Sequence, residues 1–561
     1  MLFSSASDPH DEVEHLLPSP RTARRASAAA SITLLLLVSL LLSGHVTAAV
    51  ATGEPTPAQA TATATATPSG PAPVAAPDAT TLPAFSVRYI DVLANDTCAG
   101  VKPCKRAQLT GFSAVGPAGW GIAASTTSGF LRIRVPSGTL ASTSYVRYTI
   151  TDANGTSSTT VKVKVTLPPT PDHYNPPQGS KFSHAFVKGS LGRIRTHVLR
   201  TINSVPRGGQ IRILSWSFSS PRLRKALYAA KRRGVSVQII MSPPVDPTKS
   251  DYKRLFAFFG GQRYHKDGLR GSWVYQCKAS CRGTGGTMHS KVFLFSQAYQ
   301  TRWIVMSGSG NMTDYAADHQ WNQQYTTTND KTIYDSIVNK VFLTSKLDQP
   351  DRPRQLTLVF PTTTYYFTPM TARTTQYDFV YQALRNVTCT GADTRTGRTR
   401  IRISMYTWRD DRGDWMARQV RRLWNQGCDI RIIYAIMGNR NKAILYNPGG
   451  RGRIPMRQTI LVDVDHRPVW YLHQKYIAIG GKIGANPKAF ATYQGSFNFS
   501  DLGMRSDENF QKLNGYANYV PYVADFNQIW RQRETRAPDP NSYVLQAERL
   551  GTGRYSYMEP N

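Results

Sequence analysis

The chain writes one pattern twice, and that repetition limits its fold more than any other feature. The first pass reads helix-like "LGRIRTHVLRTINSV", strand "QIRILSWSF", helix "SPRLRKALYAAKRRG" and strand "VSVQIIMS". The second reads helix-like "YDFVYQALRNV", strand "RIRISMYTW", helix "GDWMARQVRRLWNQG" and strand "CDIRIIYAI". In each pass an amphipathic helix joins two apolar strands, as a right-handed βαβ crossover requires. Both passes then end alike, in "MHSKVFLFS" with "GSGNMTD" and in "LHQKYIAIG" with "GSFNFSD". The expectation is a duplicated α/β fold with halves at 174–348 and 354–535 and a tail at 536–561.

Each ending collects chemistry. On a strand, His and Lys one residue apart share a face, while the apolar run behind them buries the strand in its sheet. The Gly-Ser-x-Asn turn closes the next apolar run and returns to the same edge. His289, Lys291 and Asn311 from the first pass, with His473, Lys475 and Asn498 from the second, thus supply nucleophile or acid, cation and amide donors around one phosphate-sized space. One such His-x-Lys is an ordinary feature of a solvated strand. Two, each followed by Gly-Ser-x-Asn and each preceded by a matching βαβ unit, are not.

Over about 174–533 this arrangement resembles the phospholipase D superfamily. The resemblance implies a duplicated α/β/α sandwich whose two half-sites meet at a pseudo-twofold axis. It implies that one histidine attacks phosphorus to form a phosphohistidine and that the other protonates the leaving oxygen and later activates water. Lysines and asparagines hold the phosphoryl oxygens, and no metal or other cofactor is needed. Most members carry Asp five residues after the lysine, where this chain has Ser296 and Gly480. Ser309 and Ser496 join the site from the Gly-Ser-x-Asn turns, and Gln324 and Glu508 occupy positions where the family often has a partner for histidine. With Gln324 beside His289 and Glu508 beside His473, His289 is the expected nucleophile and His473 the general acid and base. Trp216, Tyr406 and Trp408 end the first strand of each pass, where they either wall the substrate groove or pack into the core.

Charge narrows the partners. The chain has 68 Lys and Arg against 35 Asp and Glu, a formal charge of +33, and all but 12 of the basic and 9 of the acidic residues follow Pro168. The basic excess therefore sits with the half-sites and suits an anionic partner. An anionic or zwitterionic phospholipid surface is the leading substrate, nucleic acid the alternative, and an inactive anion-binding protein a third reading. Both half-sites lie in one chain, so a monomer suffices.

The N-terminus reads as an export signal over 1–51. Arg21, Arg24 and Arg25 precede an apolar run from Ile32 to Leu42, and Ala49, Val50 and Ala51 offer a small-residue cleavage site. A secreted product follows, with an uncleaved anchor as the minor alternative. Residues 52–82 form an Ala/Thr/Pro-rich tether with almost no large apolar side chains. Over 83–167 short alternating strands, best seen at Val161, Val163 and Val165, predict a small all-β sandwich, and Asn154-Gly155 marks a hairpin turn. Its "DVLANDT" and "YTITDANGTSSTTVKVKV" resemble bacterial immunoglobulin-like or cadherin-like repeats. The six cysteines fall into local pairs, Cys98 with Cys104, Cys277 with Cys281 and Cys389 with Cys428, as disulfides in an exported protein would.

Overall fold

The computed structural model describes residues 70–84, 86–136, 139–167, 170–243, 251–260, 271–347, 353–464 and 468–538. The expected export signal, the first part of the tether and the tail beyond residue 538 lie outside the described residues.

The N-terminal strands build two small sheets over one core. Asp78–Pro83, Gly155–Thr166, Ser142–Asp152 and Gly111–Val115 form one sheet; Ser86–Ile90, Leu131–Val135 and Gly121–Ala124 form the other. Val161, Val163 and Val165 are buried with Leu131, Ile133 and Tyr148, while Lys162 and Lys164 between them are exposed. The hairpin forms one residue earlier than expected: Ala153 and Asn154 make the turn, with Asp152 opposite Gly155 and the Asp152 carboxylate accepting from the Asn154 amide at 2.8 Å. The boundary at residue 82 is corrected: residues 78–82, read as tether, belong to the strand Asp78–Pro83, which runs parallel to Gly155–Thr166. One buried leucine, Leu82, and a full ladder of backbone bonds suffice to order it.

The remaining chain forms two sheets of the same plan. In the first, Trp273–Gln276, Ser236–Met241 and Gln210–Ser215 run parallel, then Lys291–Ala298, Thr301–Gly308, Gln320–Thr327 and Gly179–Ser183 follow antiparallel. In the second, Met456–Val462, Asp429–Met437 and Arg400–Trp408 run parallel, then Lys475–Ile483, Asn486–Gly495, Asn509–Asn514, Thr363–Phe367 and Leu356–Val359 follow antiparallel. The registers repeat as well. Lys291 faces Ser215 as Lys475 faces Met405, and Gly308 faces Gln324 as Gly495 faces Phe510.

Helices Pro221–Arg232 and Asp410–Asn425 make the two crossovers and bury Leu223 and Leu227, or Met416, Val420 and Leu423, against one face of each sheet. The first starts where Ser220 caps the Leu223 amide and Pro221 supplies a preset first turn. On the opposite faces the two sheets meet. One shared core joins Trp321 and Tyr325 of the first sheet to Tyr406, Ile433, Tyr476 and Leu513 of the second; another joins Val292 and Val305 to Tyr365 and Phe367. Helix Tyr516–Arg531 closes the first of these cores with Tyr519, Tyr522 and Phe526.

Candidate active site

The half-site residues gather where the two sheets touch. The backbone N–H of His289 donates to the Asp507 carbonyl at 2.9 Å, and that of His473 donates to the Trp321 carbonyl at 2.9 Å. Each histidine is thus seated on the backbone of the opposite half. A second exchange locks each lysine: the Lys291 amide donates to Asn509 Oδ1 at 2.7 Å and the Lys475 amide to Gln323 Oε1 at 3.2 Å. Gln323 and Asn509 escaped the sequence reading; only their matching position next to each half-site strand marks them. His289, Lys291, His473, Lys475 and Asn498 are all at most 1% exposed, and Asn311 is 6% exposed.

The ring partners cross between halves. His289 Nδ1 lies 2.8 Å from the Glu508 carboxylate, and His473 Nδ1 lies 2.9 Å from Asn322 Oδ1. Carboxylate and amide oxygens only accept, so each Nδ1 carries the proton and the nitrogen suited to react is Nε2. Ser496 Oγ donates to Glu508 and Ser309 Oγ donates to Asn322 Oδ1 at 2.8 Å, holding each partner in place. Two expectations are corrected here. Glu508 serves His289, not His473. Gln324 touches neither histidine; it sits opposite Gly308, and Asn322, two residues earlier on the same strand face, takes the partner position. The reason is register, because His473 hydrogen-bonds to the Trp321 carbonyl and the next side chain along is Asn322.

Lys475 Nζ lies 2.7 Å from His473 Nε2, and Lys291 Nζ donates to the His289 carbonyl at 2.9 Å. Trp216 and Tyr406 are equivalent. The Trp216 ring is 5.9 Å from the His289 ring and 5.7 Å from Lys291 Nζ; the Tyr406 ring is 5.0 Å from that of His473 and 5.1 Å from Lys475 Nζ. Each aromatic backs its own half-site. Trp408 is different and takes the core place, not the groove: it is fully buried against Phe499, with ring centroids 4.6 Å apart, in the core behind the site. Its strand continues through residue 408, pairing Trp408 with Met437, so the ring enters the helix-covered core.

The Asn498 turn rests on Arg412, another residue the sequence reading missed. Its guanidinium donates to the Asn498 carbonyl, pairs with Asp378 at 2.9 Å and lies 3.6 Å over the Phe497 ring. Neither atom of the buried Asn498 side-chain amide has a hydrogen-bond partner among the described residues. On the His289 side, the Asp507 carboxylate accepts from the amides of Cys281 and Arg282 at 2.5 and 2.9 Å, and burial pushes its carboxyl up to about 7. That ties the Cys277–Cys281 disulfide to the segment that seats His289. The other two expected disulfides, Cys98–Cys104 and Cys389–Cys428, are also formed.

Residues 198–340 match the family described as cardiolipin synthase, PLD-like domain. The matched segment contains His289, Lys291, Asn311 and Asn322 and ends before the second half-site. No curated protein matches the chain. Among solved structures, a phospholipase D family member, Nuc from Salmonella typhimurium, is 22% identical over 29% of this chain and 91% of its own, with a TM-score of 0.22. A Bacteroides fragilis protein described provisionally as an alpha-galactosidase/melibiase is 14% identical over 37% of each chain, with a TM-score of 0.13. Superpositions that partial carry no argument. The family match supports the phospholipase D superfamily and, with it, phosphodiesterase chemistry.

Proposed function

We propose that this chain is an exported, phospholipase D-like phosphodiesterase that hydrolyses or transfers phospholipid headgroups through a phosphohistidine. The observation that carries the reading is the crossed seating of the two histidines, each with Nδ1 held by the opposite half, which makes Nε2 the reacting nitrogen.

His289 is the nucleophile. Its Nε2 lone pair attacks phosphorus as the P–O bond to the leaving alcohol breaks, and His473, entering the step as the imidazolium with a second proton on Nε2, protonates that oxygen. A ring phosphorylated on Nε2 and still protonated on Nδ1 is cationic, and the Glu508 carboxylate offsets that charge; this replaces the argument from Gln324. His473, held by a neutral amide, gives up its proton in the first step and takes one from water in the second, as the hydroxide displaces His289 from phosphorus. Lys475 exchanges its bond to His473 for a phosphoryl oxygen when substrate enters, and Lys291, Asn311 and Asn498 supply the remaining donors. An alcohol in place of water gives transfer instead.

The charge these groups supply removes the need for a metal ion. The deciding measurement incubates the purified chain, with and without chelator, with phosphatidylcholine vesicles and separately with plasmid and single-stranded DNA. Choline release that persists in chelator is the expected result. DNA cleavage without choline release would replace the lipid reading by the nuclease one, and no turnover even of an activated nitrophenyl diester would leave only anion binding.

A further inference from the structure

The two positions that depart from the phospholipase D pattern have different surroundings. Ser296 Oγ accepts the Gln210 amide at 2.8 Å, closing the start of its neighbouring strand. Gly480, opposite Arg400 in the second sheet, is packed closely instead: a Cβ there would lie 2.8 Å from Cζ of Tyr519 and 3.2 Å from the Phe490 ring, so only glycine lets these two rings approach the strand. Gly480 lines a surface pocket of about 420 Å³ whose walls include Phe490, Tyr516 and Tyr519 together with Arg395, Arg398 and Arg400. Gly480 lies five residues along the strand from Lys475, about 17 Å at the usual rise, so the pocket is separate from the half-sites.

Its charge and shape are organised in advance. Arg400 is paired with Asp429 at 3.2 Å, and Asp429 also receives Arg402 at 2.9 Å, which leaves Arg395 and Arg398, both exposed, as excess positive charge. The Cys389–Cys428 disulfide and the bridge between Thr390 and Arg398 pin the base of the loop that carries them. Tyr516 is 62% exposed and meets the edge of Phe490 at 4.9 Å, which in turn meets Tyr519 at 5.1 Å. Exposed guanidinium groups recognise phosphate, and an exposed aromatic ring gives a planar group a surface to stack on. Arginines interrupting an aromatic wall suit a ligand whose every unit carries both a ring and a phosphate better than they suit an acyl chain.

We propose that this pocket binds the phosphate-and-base unit of a single-stranded polynucleotide, whichever diester the half-sites cleave. The test uses the full chain carrying His289→Asn and His473→Asn, so that no probe is consumed, titrated at low salt with a fluorescein-labelled oligothymidylate of about ten nucleotides and read by anisotropy. Adding Arg395→Ala with Arg398→Ala weakens binding about ten-fold or more, and adding Tyr516→Ala weakens it about five-fold. In the chain with both histidines intact, the same pocket variants hydrolyse bis(4-nitrophenyl) phosphate at the unsubstituted rate. Affinity that ignores the pocket substitutions would overturn the proposal, as would a fall in diester hydrolysis in step with affinity. Loss of binding to phosphatidylglycerol vesicles but not to the oligonucleotide would assign the pocket to a lipid headgroup and overturn it equally.

Discussion

Glu508 and Asn322 hold equivalent places on the two histidines, and they differ by one charge. If the carboxylate matters by offsetting a cationic phosphohistidine, Glu508→Gln keeps a hydrogen-bond acceptor and removes the effect. Turnover of a phosphodiester is expected to fall about 10- to 100-fold with little change in KM. Gln324→Ala, at a residue that reaches neither ring, is expected to keep activity within about two-fold. Rapid quenching with a labelled diester is the sharper measurement, since label belongs on His289 and His473→Asn prolongs it. Unchanged kcat in Glu508→Gln, or label on His473, would reverse the assignment of roles.

At the scale of strands, Gly308 and Gly495 explain why the turn motif begins with glycine. A Cβ on either would collide with the backbone of the adjacent strand, at Gln323 and Gln324 in one half and Asn509 and Phe510 in the other. Backbone cannot rotate aside as a side chain can, so the two strands have to separate. One of those strands carries Asn322 and the other starts directly after Glu508, which makes the glycine a condition for seating the histidines. Gly308→Ala and Gly495→Ala are each expected to cost about 2–4 kcal/mol in urea unfolding. Activity should fall even where the chain remains folded. Wild-type stability and activity in both variants would show that the strands yield more easily than close packing allows.

For the whole molecule, acid sensitivity has an identifiable source. His197, on helix Arg193–Asn203, is buried between Tyr174 and Thr326, whose hydroxyls lie 2.8 and 2.9 Å from its two ring nitrogens. Burial pushes its pKa down to about 3, with Lys181 and Arg200 adding to the effect. In the unfolded chain the ring takes a proton near the ordinary value of about 6.5. Folding therefore favours the neutral ring: its contribution is complete above about pH 6.5 and is lost as pH falls towards 3, by up to about 1.4 kcal/mol per pH unit. Thermal unfolding between about pH 7 and 4 should accordingly be less steeply pH-dependent in His197→Gln than in the unsubstituted chain. Equal slopes would place the acid sensitivity elsewhere.

The sequence alone determined the parts that depend on local order. The doubled helix and strand pattern marked which segments would be strands and which crossovers, because periodicity 3.6 or 2 is a property of neighbouring residues. The six half-site residues were legible for the same reason, since His-x-Lys and Gly-Ser-x-Asn are short and occur twice. Cysteine spacing gave the three disulfide pairs. What local order cannot specify is which strand of one half meets which residue of the other. Asn322 lies 11 residues after Asn311 and Glu508 lies 10 after Asn498, so counting along the chain does not align them. The exchange of Glu508 to His289 and Asn322 to His473, the latches at Gln323 and Asn509, and the support from Arg412 all cross between segments far apart in sequence. Only the packing of one sheet on the other sets that register, because a shift of a single residue turns every side chain on a strand to its opposite face.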